Sequence, residues 1–506
     1  MISLTVALLN GAEVLTGVAF ELSTTIAELQ HVVAKNIGCT RDDFVLLYTD
    51  TKPSLVSTLT QIGVSNGDVL TAIMRRSPHC PHAHTTEGEY GAFAFVNEDG
   101  SVVTWGDGQY GGNSEAVKEA LASGVLRIYS TNCAFAAVKK DGSVVTWGCG
   151  MSGGNSEDVK DALTSGVREV YSASYAFAAV KADESVVTWG DARYGGNSDT
   201  VKEALASGVR QIYSTDIAFA AVKADGSVVT WGHTTAGGNS TNVKEALASG
   251  VHVIYSNRKA FAAVKANGSV VTWGSDNFGG DSVNVEEALT SGVQQVYSNQ
   301  KAFAALKADG SVVTWGHGAS GGNSQSVKDA LTSGVLFICS TDSAFAAVKT
   351  TGSVVTWGKR DSGGDSGKVG DALTSDVVGV YSTRKDFAAV KASGSVFTWC
   401  SYNSDYRSER EVAALSSGVE QIYCTGSAFA AVKADGSVFT WGHPDYGGNS
   451  EDVKEALTSG VREVYSNGRA FAAAKADGSV VTWGSAGFGG NSDTVKDALS
   501  GGVIVR

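Results

Sequence analysis

The sequence predicts a mainly β protein: a ten-unit array of 42-residue repeats, propeller-like with an open β-solenoid or superhelix as the alternative, preceded by a small α+β domain. Three observations carry this. The ten tryptophans stand at 105, 147, 189, 231, 273, 315, 357, 399, 441 and 483, always 42 residues apart, so one supersecondary element is copied through most of the chain. Nearly every copy holds two β-prone runs around a glycine turn, most often Asp-Gly, the strongest short-range hairpin signal. The composition, 62 glycines against four prolines, suits short strands joined by tight turns.

The array occupies 91–506, and its units are numbered one to ten by their tryptophans. The stretch "AFAAVKKDGSVVTWG", Ala134 to Gly148 in unit two, reads as a hairpin. Pairing across Asp141-Gly142 sets Val138 opposite Val145 and Ala136 opposite Trp147, with Phe135, Ala137, Val144 and Thr146 on the other face. Both faces are then largely apolar, so the hairpin needs cover on both sides. Neighbouring copies are the simplest cover, small alanines leaving room for the Trp and Phe of the adjacent unit. A further strand, "GVREVYS" in its commonest form, precedes the hairpin. After it come a Gly-Gly turn and "NSEDVKDALTS", which predicts a short helix capped by Ser156 with Val159 and Leu163 on one face.

The ends of the array complement each other. At the 42-residue period, Gly502 and Val503 match Gly124 and Val125, while unit one has "AHTTEGEY" where unit two has the strand "VLRIYSTN". A spare strand and a missing strand predict closure into a ring, although Arg506 falls at the phase of Ile128 and leaves about three residues to pair. Ten units exceed the usual four to eight blades, which keeps the open array in play. Unit eight departs from the pattern, with Cys400 after Trp399 in place of glycine and Asp405-Tyr406 in place of Gly-Gly.

Residues 1–76 do not carry the repeat. Ile2, Leu4, Val6 and Leu8 alternate as a strand, and a second strand follows around Glu13 to Phe20. Thr25 and Glu28 form a capping box for a helix with Ile26, Leu29 and Val33 on one face. The strands "DFVLLYT" and "VLTAIMRR" complete the segment. This order of strand, strand, helix, strand, strand resembles ubiquitin, by pattern more than by identity. The resemblance implies a β-grasp, ubiquitin-like domain whose apolar patch for partner proteins falls on Leu9, Leu47 and Ile73; the other reading places Leu47 or Ile73 in the core. Where ubiquitin ends in Gly-Gly, this chain reads Arg75, Arg76, Ser77, Pro78 and continues, which implies a built-in docking domain and not a conjugated tag. Residues 77–90, "SPHCPHAHTTEGEY", form a linker. Its His79, Cys80, His82 and His84 are metal-ligand types whose spacing builds no closed tetrahedral site.

A second resemblance covers 91–506. "GVRQIYSTDIAFAAVKADGSVVTWG", Gly208 to Gly232, followed by Gly237-Gly238, is similar to the repeats of the regulator of chromosome condensation family. That resemblance implies a ring-shaped β-propeller and nucleotide exchange on a small GTPase. The units here are shorter, number ten, and lack the family's histidine, with Cys133, Tyr175, Ile217 and Lys259 standing in its region. The fold therefore carries over more directly than the activity.

The remaining residues bear on function mostly by exclusion. Seven cysteines occupy unrelated phases of the repeat, unlike a disulfide or zinc framework, and read as reduced thiols. A formal charge of −13 disfavours nonspecific binding to nucleic acid or anionic membrane. The N-terminus lacks a basic n-region and no stretch has the length of a membrane span, so a cytoplasmic or nuclear location is expected. His233, His252, His317 and His443 scatter over different phases, and no nucleophile, base and oxyanion group assembles. No enzyme, cofactor or metal is expected.

Two windows diverge among otherwise near-identical units. These are the four residues after each W-G ("DGQY", "DARY", "HTTA", "HPDY") and the three after each Y-S ("TNC", "ASY", "NRK", "NGR"). Either exposed loops drift there, or they form a binding face, and the candidates are Tyr110, Tyr194, Arg258, Lys259 and Tyr446. The expected function is a non-enzymatic interaction scaffold or adapter linking an array-bound client to ubiquitin-system partners. A regulator of a small GTPase and a structural repeat protein in a larger assembly are the alternatives.

Overall fold

The computed structural model describes four strands and scattered residues within 2–74, residues 92–400 apart from 98, residues 409–492, and residues 502–505. Strands β1 (Ile2–Leu8), β2 (Glu13–Phe20), β3 (Phe44–Leu47) and β4 (Val69–Met74) make one mixed sheet in the order β2-β1-β4-β3. β1 runs antiparallel to β2 and parallel to β4, and β3 is antiparallel to β4. Parallel neighbours need a crossover. Leu29 and Val33, helical and buried with Leu4, Val6 and Leu70, lie on it. The capping pair Thr25 and Glu28, Leu9, the linker 77–90 and Asp405-Tyr406 fall outside the described residues.

The array consists of ten three-stranded antiparallel sheets. In unit two the strands are Val125–Ser130, Ala134–Lys139 and Val144–Gly148. The hairpin register differs by one residue from the expected one: Phe135 faces Trp147 and Val138 faces Val144. The cause is a three-residue loop. Lys139 N donates to Ser143 O at 2.9 Å and Gly142 takes the left-handed φ of 76°, which is a turn closed by a glycine bulge and not a two-residue turn. Asp141 holds it by accepting from Ser143 N at 2.9 Å and Ser143 Oγ at 2.6 Å. Phe135 and Trp147 consequently share a face and stack at 5.2 Å, an arrangement found in every unit.

Successive units interleave small against large, as the alanines predict. Ala134, Ala136 and Val138 of unit two meet Phe177, Ala179 and Trp189 of unit three, with Leu163 of the connection sealing the layer. The first glycine of each Gly-Gly is required twice over. Gly153 has φ 97°, and a Cβ there would lie 2.5 Å from the Phe177 ring. Its carbonyl accepts the Trp189 indole N–H at 3.0 Å. Unit eight breaks this link for its neighbour: Trp441 Nε1 of unit nine is buried with no hydrogen-bond partner, and Asp405 occupies the glycine's place in the sequence. The connecting segment Glu157–Leu163 is 3-10 and not α, with Val159 at φ −123° inside it. Ser156 does not cap it. Its hydroxyl pairs with Thr146 Oγ1 at 3.0 Å, and Asn155 Oδ1 takes the Glu157 N–H at 3.0 Å instead.

The ring closes. Residues Gly502–Val505 pair with Ala92–Asn97 as the first strand of unit one. Trp105 Nε1 donates to Gly489 O at 3.0 Å, and Phe93 packs with Phe488 and Tyr465 of unit ten, repeating the interface found between other units. Four residues pair, not about three. Other first strands carry a bulge, as between Val125 and Arg127, which the terminal strand lacks. It slides accordingly, and Ile504 faces Phe95 in the register position that Ile128 holds against Ala137. First strands approach one another around the axis, where Ser214 Oγ donates to Ser172 O at 2.7 Å and Ser256 Oγ to Ser214 O at 2.6 Å, each from the equivalent position one unit on.

Candidate protein-binding face

The two divergent windows, far apart within each repeat, are tied together. Thr131 Oγ1 accepts from Ala134 N at 3.1 Å and donates to Ser152 O at 3.0 Å. Thr215 Oγ1 reaches Ala236 O at 3.0 Å, and Asn257 Nδ2 reaches Phe278 O at 2.6 Å. The residue after Y-S thus clamps the loop after W-G in each case. Both windows lie at the same end of the strands, so they gather on one face of the ring, while the glycine hairpins lie at the opposite end.

A collar of backbone hydrogen bonds runs between units on this face. Asn132 N donates to Ser174 O at 3.1 Å, Ser174 N to Asp216 O at 2.8 Å, and Asp216 N to Arg258 O at 3.1 Å. Asp342 N continues it to Arg384 O at 2.9 Å, and Arg384 N to Gly426 O at 3.1 Å. Side chains follow the same path. Arg258 Nε meets Asp216 Oδ2 at 2.8 Å with the guanidinium half exposed, and its Nη1 lies 3.4 Å from Gln300 Oε1. Burial pushes the Asp342 carboxyl above the usual carboxylate range, against the pull of Arg384, Gln300, Arg258 and Lys385.

Aromatic rings and cations alternate around the same face. Phe278 lies under Lys259 at 5.4 Å and Lys301 at 5.8 Å. Arg469 sits between Tyr446 at 4.9 Å and Phe488 at 5.0 Å, with His443 edge-on to Tyr446 at 5.2 Å. Tyr194 packs against Tyr175 at 5.3 Å and under the Arg193 guanidinium at 5.2 Å, itself bound to Asp191 Oδ2 at 2.7 Å. The last residue of the Y-S window therefore meets the ring of its own unit, as Lys259 and Tyr175 do, the ring of the unit before, as Lys301 does, or both, as Arg469 does. Such contacts contribute about 0.5–1 kcal/mol each where exposed and hold the rings flat.

Of the sequence candidates, Tyr194, Arg258, Lys259 and Tyr446 meet on this face in these contacts, and Tyr110 ends the equivalent 3-10 turn, Gly108–Tyr110. Tyr175, Phe278, Lys301, Arg469 and Phe488 belong with them and were not singled out. Their signal was the phase: Lys259 and Phe278 pair at the spacing that also pairs Tyr175 with Tyr194 and Arg469 with Phe488. In the N-terminal sheet Ile73 stands opposite Val45 and Leu47 opposite Thr71, on neighbouring strands β4 and β3. Among the described residues, no three His, Cys, Asp or Glu side chains are placed to hold a metal, and no helix is long and apolar enough to cross a membrane. The Cys133 thiol, on the same face, is pushed up by burial and by the neighbouring Cys149.

No family model and no curated protein matches the chain. Among solved structures it is similar to Prp20p of Saccharomyces cerevisiae, at 14% identity over 72% of this chain and 83% of that one with a TM-score of 0.31. It is also similar to the ectodomain of the receptor kinase CR4 of Physcomitrella patens, at 13% identity over 54% and 72% with a TM-score of 0.31. The computationally designed Ika8 protein matches at 12% identity over 63% and 96% with a TM-score of 0.27. Likenesses this distant carry no functional argument. The class, a ring of repeated three-stranded β-sheets, rests on the strand pairing described above.

Proposed function

We propose that the protein is a non-enzymatic interaction scaffold that captures a protein client on the window face of the ring. One observation carries this: two freely varying windows of a repeat with a uniform core are clamped to each other on a single face and furnished there with stacked rings and cations. Flat aromatic and cationic side chains with little rotamer freedom left are what protein interfaces use as anchors. The N-terminal sheet, with its order β2-β1-β4-β3 and a helical crossover bearing Leu29 and Val33, supports reading residues 1–76 as a ubiquitin-like domain, so that the client would be brought to ubiquitin-system partners through β3 and β4.

Affinity capture tests this with the full chain against a variant carrying Tyr194→Ala, Lys259→Ala and Tyr446→Ala. Loss of a specific protein from the variant, with unchanged melting, is the expected result. A client retained by the variant refutes the face, and a small GTPase as the retained protein would favour the exchange-factor reading in its place.

A further inference from the structure

The inner strands are not equivalent around the ring. Their second residue is Arg168, Arg210, His252, Glu420 or Arg462 in units three, four, five, nine and ten, and each of these is exposed. In units seven and eight the same position is Leu336 and Val378, and the next residue is Phe337 and Gly379. Unit two supplies a control, because Leu126 occupies the phase of Leu336 five units away. Leu126 is 54% exposed, Leu336 5% and Phe337 0%. The strand is of the same kind, yet its surface is open on one side of the ring and covered on the other.

Leu336 and Phe337 belong to the apolar cluster between units seven and eight. Strand β4 of the N-terminal sheet lies against the first strand of unit eight, Val377–Ser382. Gly379 is the single glycine at its phase of the repeat, where the other units carry longer side chains, and the space a side chain would take is filled by the Tyr381 ring of its own strand. Where unit three joins the hydroxyl of Tyr171 to Glu169 at 2.8 Å, unit eight instead lays the Tyr381 ring beside Gly379. Taking side chains the size of Leu and Phe out of water favours seating a tethered domain, which has little translational freedom to lose.

We propose that the inner strands of units seven and eight are a dock for the N-terminal domain of the same chain, built around Leu336, Phe337 and Val378, and that docking withdraws β4, the strand that bears Ile73, from solution. The scaffold then has a closed state, in which the N-terminal domain is seated, and an open state, in which the domain hangs on its linker. The consequence for partner capture rests on the function proposed above, but the docking itself does not.

The test is small-angle scattering of the full chain without any partner, comparing wild type with the double variant Leu336→Arg, Val378→Arg. Arginine already occupies this position in units three, four and ten, so the ring is expected to fold. Release should lengthen the particle by roughly 20 Å, the reach expected of a tether of about 14 residues. Leu126→Arg, at the open side, should change nothing. Equal dimensions for wild type and the double variant, with melting retained, overturn the proposal. So does a wild-type particle already extended, or a mass that doubles with concentration and falls in the variant, which would assign the dock to a second copy.

Discussion

Unit nine contains a flaw that makes the role of the tryptophan row measurable. Trp273 and Trp441 are both buried and both stack on a phenylalanine, at 5.0 Å and 5.1 Å. Trp273 Nε1 donates to Gly237 O at 3.0 Å, whereas Trp441 Nε1 has no partner. Replacing each by phenylalanine removes a similar apolar area, so that contribution cancels in the comparison. Trp273→Phe also deletes a hydrogen bond and leaves a buried carbonyl unpaired, costing about 1–3 kcal/mol. Trp441→Phe removes an unsatisfied N–H and recovers part of a similar desolvation penalty. The two variants should therefore differ by about 2–4 kcal/mol, or roughly 30- to 1000-fold in a local opening constant. An array of like units opens locally, so the assay is native-state hydrogen exchange of Ala260–Lys265 against Ala428–Lys433, the strands that carry the stacked phenylalanines. If Trp441→Phe loses as much protection as Trp273→Phe, the indole-to-glycine bond is not what locks adjacent units, and the account of the Gly-Gly loop is wrong.

Two further predictions concern the ring as a whole. Removing residues 502–506 should abolish exchange protection of the Ala92–Asn97 amides that face Gly502–Val505 and expose that edge to proteolysis while units three to seven keep theirs; full protection of those amides would show that closure contributes nothing. The hairpin carboxylates Asp141, Asp183, Asp225, Asp309, Asp435 and Asp477 are held below the usual range chiefly by the serine two residues on. A depressed folded pKa adds stability that is complete above the unfolded value near pH 4 and is lost as pH falls through the folded value. Melting should thus drop below about pH 4, and converting these six to asparagine should flatten that slope, since Asn267 already makes the same bonds to Ser269 without a charge. An unchanged slope in the asparagine variant would refute the assignment.

Much of this architecture could be read from residues alone because the repeat enforces it. A 42-residue period with Trp, Phe and alanines at set phases admits little besides stacked units, and the mismatch between "AHTTEGEY" and the spare "GGVIV" pointed to closure. The hairpin register could not be read, because Asp-Gly serves a two-residue turn and a three-residue bulged loop equally well. Only the Phe135–Trp147 stack decides between them. Ser156 misled for a related reason: a serine before an acidic residue looks like a cap, yet Asn155 lies one residue earlier and its amide oxygen takes the free N–H. The window face was legible as variation but not as contact. Pairing Lys301 with Phe278, or Arg469 with Tyr446, each of the unit before, depends on how neighbouring sheets are staggered. The apposition of β4 and unit eight lies wholly beyond local pattern, since nothing near either segment in the chain specifies the other.

The strand that shuts the ring imposes an order on assembly. Interfaces between other units join residues about one repeat apart and can form as each unit leaves the ribosome, but Trp105 and its glycine are separated by 384 residues. Loop closure over that span is slow and yields no contact until it is complete. For almost the whole of synthesis, unit one presents the bare edge of Ala92–Asn97 to solvent or to a chaperone, next to nine sibling first strands of nearly the same sequence. Any of them could pair there by mistake. The terminal strand, unbulged and shifted in register, is the one shaped differently from its siblings. That difference is a kinetic address, by which a growing chain of near-identical parts tells its last piece from the rest.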